Sequence, residues 1–328
     1  MKKILLFNLI ILICLIFISE ISIKTLKLSQ LMGIDSKILN YETEIHKLKP
    51  NTSGYVFSRK VFIDQDGNRV PKNYQKSIDK KNILVIGDSV AFGNGVDEEN
   101  TFVGLMRKKY KKYEFLNTSV PGYDLLHYEE NLKKILNYKN IKNVLYFFTL
   151  NDVLNSNTII PWHKRNEKKL EQKLGMVQKI ISNKYLRNLN FYLRNKSYTF
   201  MFLKGVLTDP SKRWYSNIDL FYKENKVNHL SSYLTNLNKF SEKNNAKLYV
   251  IILPYEFQTR NCKTNKSPFP QLKIKDQLKN LRINYFDFFQ EFCNVKKPKK
   301  LFYKFDPMHL SNKGHKKVFE LIDREINF

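Results

Sequence analysis

Acidic residues and arginine are the scarce charges in this chain. Only 30 acidic residues stand against 57 basic ones, a formal charge of +27, and just ten of the basic side chains are Arg. A surplus of this size raises nucleic acid or an anionic surface as partners. Arginine forks, the better tool for phosphate recognition, are few, and the lysines form no single confined patch. The surplus therefore reads as Lys-rich solvated faces, and no nucleic-acid partner is expected. Cysteine is scarcer still, with three residues, none in a C-x-x-C pair, and no histidine cluster has zinc-ligand spacing. That pattern argues against a metal site, and no cofactor is expected. Internal repeats and low-complexity blocks are lacking too, which excludes solenoid and disordered architectures.

Long apolar runs are confined to the amino terminus. Met1-Lys2-Lys3 precedes an apolar stretch over 4–18 that only Asn8 interrupts, with Ser19 and Glu20 following. Fifteen residues rise about 22 Å as a helix, short of a ~30 Å hydrocarbon core, and counting residues 19–23 makes a marginal span. A cleaved signal peptide competes, but Phe17, Ile18 and Ser19 offer no small-residue cleavage pattern. The expectation is an uncleaved signal-anchor over 1–23 that leaves the rest extracytoplasmic, although Lys24 and Lys27 blunt the charge asymmetry. Cys14 falls in this segment. Cys262 and Cys293 remain as two buried thiols or as a pair that an exported domain could bridge. Closing that loop would stabilise by roughly 3–4 kcal/mol on the chain-entropy model.

The whole chain, at 328 residues with 42% hydrophobic and 14% aromatic content, has room for one large domain plus attachments or for two small ones. Residues 24–50 are polar and suit a stalk. Two extended runs, 55–57 and 59–63, close on Asp66-Gly67 and predict a small hairpin packed on the main domain. Strand-like runs then occur at 83–86, 115–118, 144–148, 248–253 and 285–288. Helical patterns fall at 101–113, 124–138, 227–244 and 271–281, with a last helix over 313–326 capped by Ser311. This alternation predicts an α/β protein, a three-layer α/β/α sandwich on a mainly parallel, five-stranded, flavodoxin-like sheet. The organisation read is 1–23 as anchor, 24–80 as stalk and hairpin, and 81–328 as the catalytic-type domain. Within it, residues 154–226 form a basic helical insertion. Its apolar stretch 185–207 is expected to bury against the domain; lining a cleft or leaning on a membrane surface are the alternatives.

Chemistry gathers at the predicted strand ends. Gly87-Asp88-Ser89 follows the first strand, placing Ser89 past a carboxyl edge where open α/β sheets bind ligands. Residues 117–123, Asn-Thr-Ser-Val-Pro-Gly-Tyr, follow the second strand, and Thr149-Leu150-Asn151-Asp152 follows the third. Asp306-Pro307-Met308-His309 sits just before the last helix and supplies a base for the serine. Each segment alone is ordinary turn chemistry; four in this order are not.

Together these four segments resemble the sequence blocks of the SGNH hydrolases, also called the GDSL esterase family, over about residues 81–328. Residues 97–102 and 254–258 are similar to the family's usual continuations. The amino-terminal segment is similar to a bacterial membrane-tethered branch linked to cell-surface polysaccharide. The resemblance implies the SGNH hydrolase fold and a Ser89–His309–Asp306 triad. The oxyanion hole it implies comprises the Ser89 and Gly122 backbone N–H groups and the Asn151 amide. In that reading an unassisted hydroxyl becomes nucleophilic by passing its proton to His309, which Asp306 orients. Asp88 would order the turn and Asp152 would bond nearby backbone. One departure is Thr149, where many family members have Gly. His315 is expected on a helix surface, and His46, His127, His163 and His229 lack motif context.

The implied activity is that of a membrane-anchored, extracytoplasmic serine esterase or O-acyltransferase acting on O-acyl groups, acetyl above all, of cell-envelope glycans. A lysophospholipase or thioesterase is the alternative within the class. A non-catalytic glycan-binding or assembly protein on the same scaffold is the alternative outside it.

Overall fold

The computed structural model describes residues 2–40, 45–77, 79–135, 137–153, 184–212, 214–215, 228–264 and 268–328. Ten strands occur among them: β1 Leu39–Asn40, β2 Lys47–Leu48, β3 Thr52–Val56, β4 Arg59–Ile63, β5 Arg69–Val70, β6 Lys81–Gly87, β7 Tyr113–Asn117, β8 Ile141–Phe148, β9 Lys247–Ile252 and β10 Asn284–Asp287. Strands β6–β10 are parallel, in the order β7-β6-β8-β9-β10. That is the flavodoxin-like order expected from the alternating pattern. Leu84 to Ile86 are buried because β6 lies in the middle of the sheet with neighbours on both edges, and a run without alternation is what such a strand needs.

Helices Phe102–Lys109 and Asn312–Glu325 pack together, and helices Leu125–Ile135 and Asn228–Lys243 form a second packed pair. The connection from β6 to β7 runs one way along the sheet and that from β7 to β8 runs back the other way, so right-handed crossovers put the two pairs on opposite faces, giving three layers. Helix Phe102–Lys109 stops short of its expected end because Tyr113 is already sheet.

The amino-terminal third departs from its expected role. β3 and β4 form an antiparallel hairpin, but the hairpin does not merely pack on the domain: through β5, which pairs with β7, it extends the central sheet to eight strands. The turn between β3 and β4 is Phe57-Ser58, both at positive φ, whereas Asp66-Gly67 turns β4 into β5. Paired positive φ is the two-residue hairpin geometry usually marked by Asn-Gly, so nothing in Phe-Ser announces it. Nor is 24–50 simply a polar stalk. Ile38, Leu39, Ile45, His46 and Leu48 are buried, and β1 and β2 form a two-stranded ribbon. Their apolar residues follow neither a 2 nor a 3.6 period, so only tertiary contact places them.

The first helix runs Lys2–Thr25, longer than the apolar run, because Ser19, Glu20 and Ser22 continue it. Its 24 residues rise about 36 Å. Among the described residues it is the one helix long and apolar enough to cross a membrane. Of the basic insertion, helices Lys184–Lys196 and Tyr198–Leu207 are described; the rest of 154–226, His163 included, lies outside the described residues apart from 208–212 and 214–215. The apolar residues of 185–207 are only partly buried against the domain: Met201 is buried and Phe202 meets Phe305, but Leu186, Leu189, Tyr192, Leu203, Val206 and Leu207 are exposed.

Cys262 and Cys293 are joined as a disulfide that ties the segment after helix Glu256–Arg260 to helix Phe289–Cys293.

Candidate active site

The site begins at the carboxyl end of β6. Gly87 ends that strand, and a Cβ there would lie 2.5 Å from Ala91 Cβ and 3.1 Å from Phe147 O, so only glycine lets the chain turn this tightly against β8. Asp88 then caps the short helix Ser89–Phe92, its carboxylate accepting the Val90 N–H at 2.8 Å. Ser89 becomes the first residue of that helix. The carbonyls at the helix's far end are gathered by Arg69 of β5, whose guanidinium donates to Phe92 O, Gly93 O and Val96 O. Arg69 is wholly buried, and burial brings its pKa down to about 10, still cationic at neutral pH.

The loop before the last helix closes on this serine. Asp306 Oδ1 accepts the Met308 and His309 backbone N–H groups at 3.0 and 2.9 Å, which folds the four-residue loop around its own carboxylate. Asp306 Oδ2 meets His309 Nδ1 at 2.9 Å, and His309 Nε2 meets Ser89 Oγ at 2.8 Å. An ionised carboxylate only accepts, so Nδ1 carries the ring proton and Nε2 is left to accept from the serine hydroxyl. Burial disfavours the imidazolium, yet the Asp306 charge and hydrogen bond outweigh it and hold the His309 pKa above 6.5. For Asp306, burial favours the neutral acid, but His309 and the two backbone donors prevail and lower its pKa. Phe57 packs its ring edge-on to His309 at 4.9 Å.

The loop after β7 is pinned to the same strand tip: Val120 N–H donates to Gly87 O at 3.2 Å, and Asn117 Nδ2 to Ala91 O at 3.2 Å. Gly122 adopts φ 84, the left-handed region, and is exposed. Among the described residues neither the Gly122 nor the Ser89 backbone N–H is the donor of a hydrogen bond. The carbonyl of the same peptide, Pro121 O, lies 2.8 Å from Nε2 of the buried His46. A carbonyl only accepts, so His46 donates. The peptide is trans, which directs the Gly122 N–H opposite to the bond His46 makes. Tyr123 OH returns a hydrogen bond to His46 O at 2.8 Å.

After β8, Asn151 Nδ2 donates to Asp88 Oδ2 at 3.0 Å, while its Oδ1 accepts from Tyr255 OH at 2.7 Å and Thr149 Oγ1 at 2.8 Å. Thr149 Oγ1 also lies 3.1 Å from Asp88 Oδ2 and from Asp152 Oδ1. Asp152 accepts from Tyr128 OH, Tyr146 OH and the Thr149 N–H. Complete burial, with Asp88 nearby, pushes the Asp152 carboxyl well above its usual range.

All five residues singled out from the sequence thus stand around one strand tip. Ser89, His309 and Asp306 are joined in one hydrogen-bonded chain, Asn151 is tied to the neighbouring Asp88, and the Gly122 loop is tied to Gly87. Sequence reasoning passed over His46, Arg69 and Tyr255. It also misplaced His315, which is buried, accepts the Phe102 N–H at 3.3 Å, and is driven by burial down to about 3, hence neutral. The signal was available, since Val318, Leu321 and Ile322 recur at helical spacing from it on the buried face. His127 is likewise buried, bonded to Asp124 at 2.6 Å. Among the described residues no cluster of His, Cys, Asp or Glu could hold a metal ion.

No protein-family model matches the chain, and no curated protein does. Solved structures do. An acetylxylan esterase, Axe2 from Geobacillus stearothermophilus, is 15% identical with TM-score 0.43, over 76% of this chain and 94% of its own. A lipase/acylhydrolase from Enterococcus faecalis is 12% identical with TM-score 0.42, over 75% and 95%. A member of the lipolytic protein G-D-S-L family from Veillonella parvula is 10% identical with TM-score 0.40, over 75% and 97%. At these values the likeness carries no inference about activity, which rests on the side chains.

Proposed function

We propose that the chain is a membrane-anchored, extracytoplasmic serine esterase or O-acyltransferase that removes or transfers small O-acyl groups, acetyl on a cell-envelope glycan being the leading substrate. The observation that carries this reading is the continuous bond chain from Asp306 through His309 to Ser89. Ser89 Oγ attacks the ester carbonyl carbon as its proton passes to His309 Nε2, and the Asp306 carboxylate stabilises the resulting imidazolium. The oxyanion is held by the Ser89 and Gly122 N–H groups, whose hydrogens have no other acceptor among the described residues, and by the Asn151 amide, which has a second hydrogen beside the one on Asp88. His309 then protonates the departing alkoxide. Water, or a sugar hydroxyl for transfer, attacks the acyl-enzyme by the reverse steps.

The helix Lys2–Thr25 supports the anchor, and the Cys262–Cys293 disulfide suits an oxidising compartment. The purified chain with p-nitrophenyl acetate tests the chemistry. Turnover that a serine-directed phosphonate abolishes, and that Ser89→Ala lacks, is expected. Equal rates in wild type and Ser89→Ala would defeat the proposal; glycan binding that survives Ser89→Ala without any turnover would replace it with a binding role. Acyl-chain preference separates an acetyl esterase from a lysophospholipase or thioesterase.

A further inference from the structure

The far end of the amino-terminal helix is bonded to the start of helix Tyr198–Leu207. Glu20 caps helix Tyr198–Leu207, its carboxylate accepting from Ser197 Oγ at 2.9 Å, Tyr198 N–H at 2.6 Å and Thr199 N–H at 3.0 Å. Ser29 Oγ donates to Tyr198 O at 2.7 Å, and Met32 N–H to Arg194 O at 3.1 Å. The capped helix in turn packs on the catalytic loop. A Cβ on Gly205 would strike the Phe305 ring, and Phe202 meets that ring at 5.9 Å, one residue before Asp306. The chain just after the first helix approaches from the other side: Gly33 O accepts the Phe57 N–H, and Phe57 lies on His309. Ser29 is four residues beyond Thr25, so at most about 14 Å of chain separates the end of the helix from these contacts.

Among the described residues, two surfaces around this junction lack a protein cover. The apolar window of the first helix is not buried anywhere in the fold. Beside it, Leu189 and Tyr192 are 51% and 61% exposed, and Leu203, Val206 and Leu207 are 50%, 59% and 79% exposed. Their spacing of three and four puts each set on one helix face. Lys24, whose Nζ lies 6.0 Å from the Tyr198 ring, is exposed, as are Lys27 and Lys196, and such cations suit lipid phosphates. A water-facing role for five large apolar side chains adjoining a bare apolar helix is costly, whereas an interfacial helix pair needs this composition.

We propose that helices Lys184–Lys196 and Tyr198–Leu207 lie in the surface of an anionic bilayer and hold the mouth above Ser89 against it, so that the substrate is an acyl ester borne by a membrane-anchored amphiphile. This rests on the reading of Lys2–Thr25 as a membrane span and of Ser89 as the nucleophile. It narrows the substrate from acylated molecules at large to those carried on a lipid.

The test uses the full chain in vesicles of phosphatidylglycerol and phosphatidylcholine. On a Cys14→Ser background with the disulfide intact, single variants Leu189→Cys, Leu203→Cys, Leu207→Cys and Lys239→Cys carry an environment-sensitive fluorophore. Quenching by doxyl-labelled lipid is expected at 189, 203 and 207 and not at the control position 239, with all proteins retained after alkaline carbonate. Retention with probes at 189–207 as open to aqueous iodide as position 239 would overturn the docking while leaving the span intact. Release by carbonate would remove the span and this proposal with it, without touching p-nitrophenyl acetate turnover. Probes shielded from both quenchers in a concentration-dependent manner would assign the face to a second copy of the chain instead. An acetyl ester on a dialkyl glyceride anchor should be cleaved about tenfold or more faster in the protein's own vesicles than in added protein-free ones, because confinement to one surface raises effective concentration. Equal rates in the two populations would overturn the substrate assignment.

Discussion

Asp306 and His309 sit three residues apart on one loop and meet Ser89 directly, whereas Gly122 and Asn151 come from separate loops after different strands. In the proposed reaction the first group is a proton relay, its geometry largely set by its own backbone, since Asp306 folds the loop around itself. The second would be a donor wall, and its geometry is borrowed. His46, 75 residues away, holds the Pro121 carbonyl, and Asp88, Thr149 and Tyr255 hold Asn151. A relay carries its own instructions in a short motif; a donor wall is only as good as the groups behind it. Substitutions should therefore act on the relay at the named residues and on the wall at a distance.

The largest effects are expected in the relay. Ser89→Ala should lower kcat by about 10⁴-fold or more, and Asp306→Asn by about 10⁴-fold through loss of the correct tautomer. The pH profile separates them from a folding defect. The base must be neutral, and Asp306 raises its pKa above 6.5, so wild-type kcat/KM should fall on acidification through an apparent pKa above that value. In Asp306→Asn the residual activity should have its acid limb displaced to lower pH. A limb that stays in place would remove Asp306 from the relay.

The donor wall should respond next. Asn151→Ala is expected to cost about 10²–10³ in kcat with little change in KM, as loss of one oxyanion donor does. Unaltered kcat would confine Asn151 to bracing Asp88. His46→Ala should cost about tenfold in kcat, the order expected for a donor that is misaligned but not removed. His46→Gln, which restores an N–H near the same place, should recover most of it, with KM steady throughout. A merely structural histidine would instead lower thermal stability in both variants and show no such kcat recovery.

How much could be read from residues alone follows the same division. That Asp306, His309 and Ser89 would meet was legible because Asp-x-x-His and Gly-Asp-Ser are local motifs, and the parallel sheet was legible because each central strand is a continuous apolar run. His46 was not legible, since a lone histidine in a polar stretch carries no periodicity and its partner is remote. β5 was not legible either: it is two residues long, and its Arg69 is buried for the sake of three carbonyls that sequence cannot place beside it. Where a residue's partner lies within one turn or one loop, pattern suffices; where it lies across the fold, only packing supplies it.

The smallest effect is expected at Thr149. Its hydroxyl stands between Asp88 Oδ2, Asn151 Oδ1 and Asp152 Oδ1 and has one proton to share among them. Asp152 already accepts from Tyr128 OH, Tyr146 OH and the Thr149 N–H, so the threonine proton matters most to Asp88 and Asn151. Thr149→Val keeps the shape and removes that link, a neutral hydrogen bond worth about 1 kcal/mol, so kcat should fall about fivefold. Thr149→Ser keeps the link and should stay within about twofold. If both variants matched wild type, the wall would be braced through Tyr255 and Asp88 alone, and Thr149 would matter only for the width of the cleft. If instead Val lost as much as Asn151→Ala, the hydroxyl would be setting the amide's orientation outright, and the wall would depend on a bond that a glycine at this position could never make.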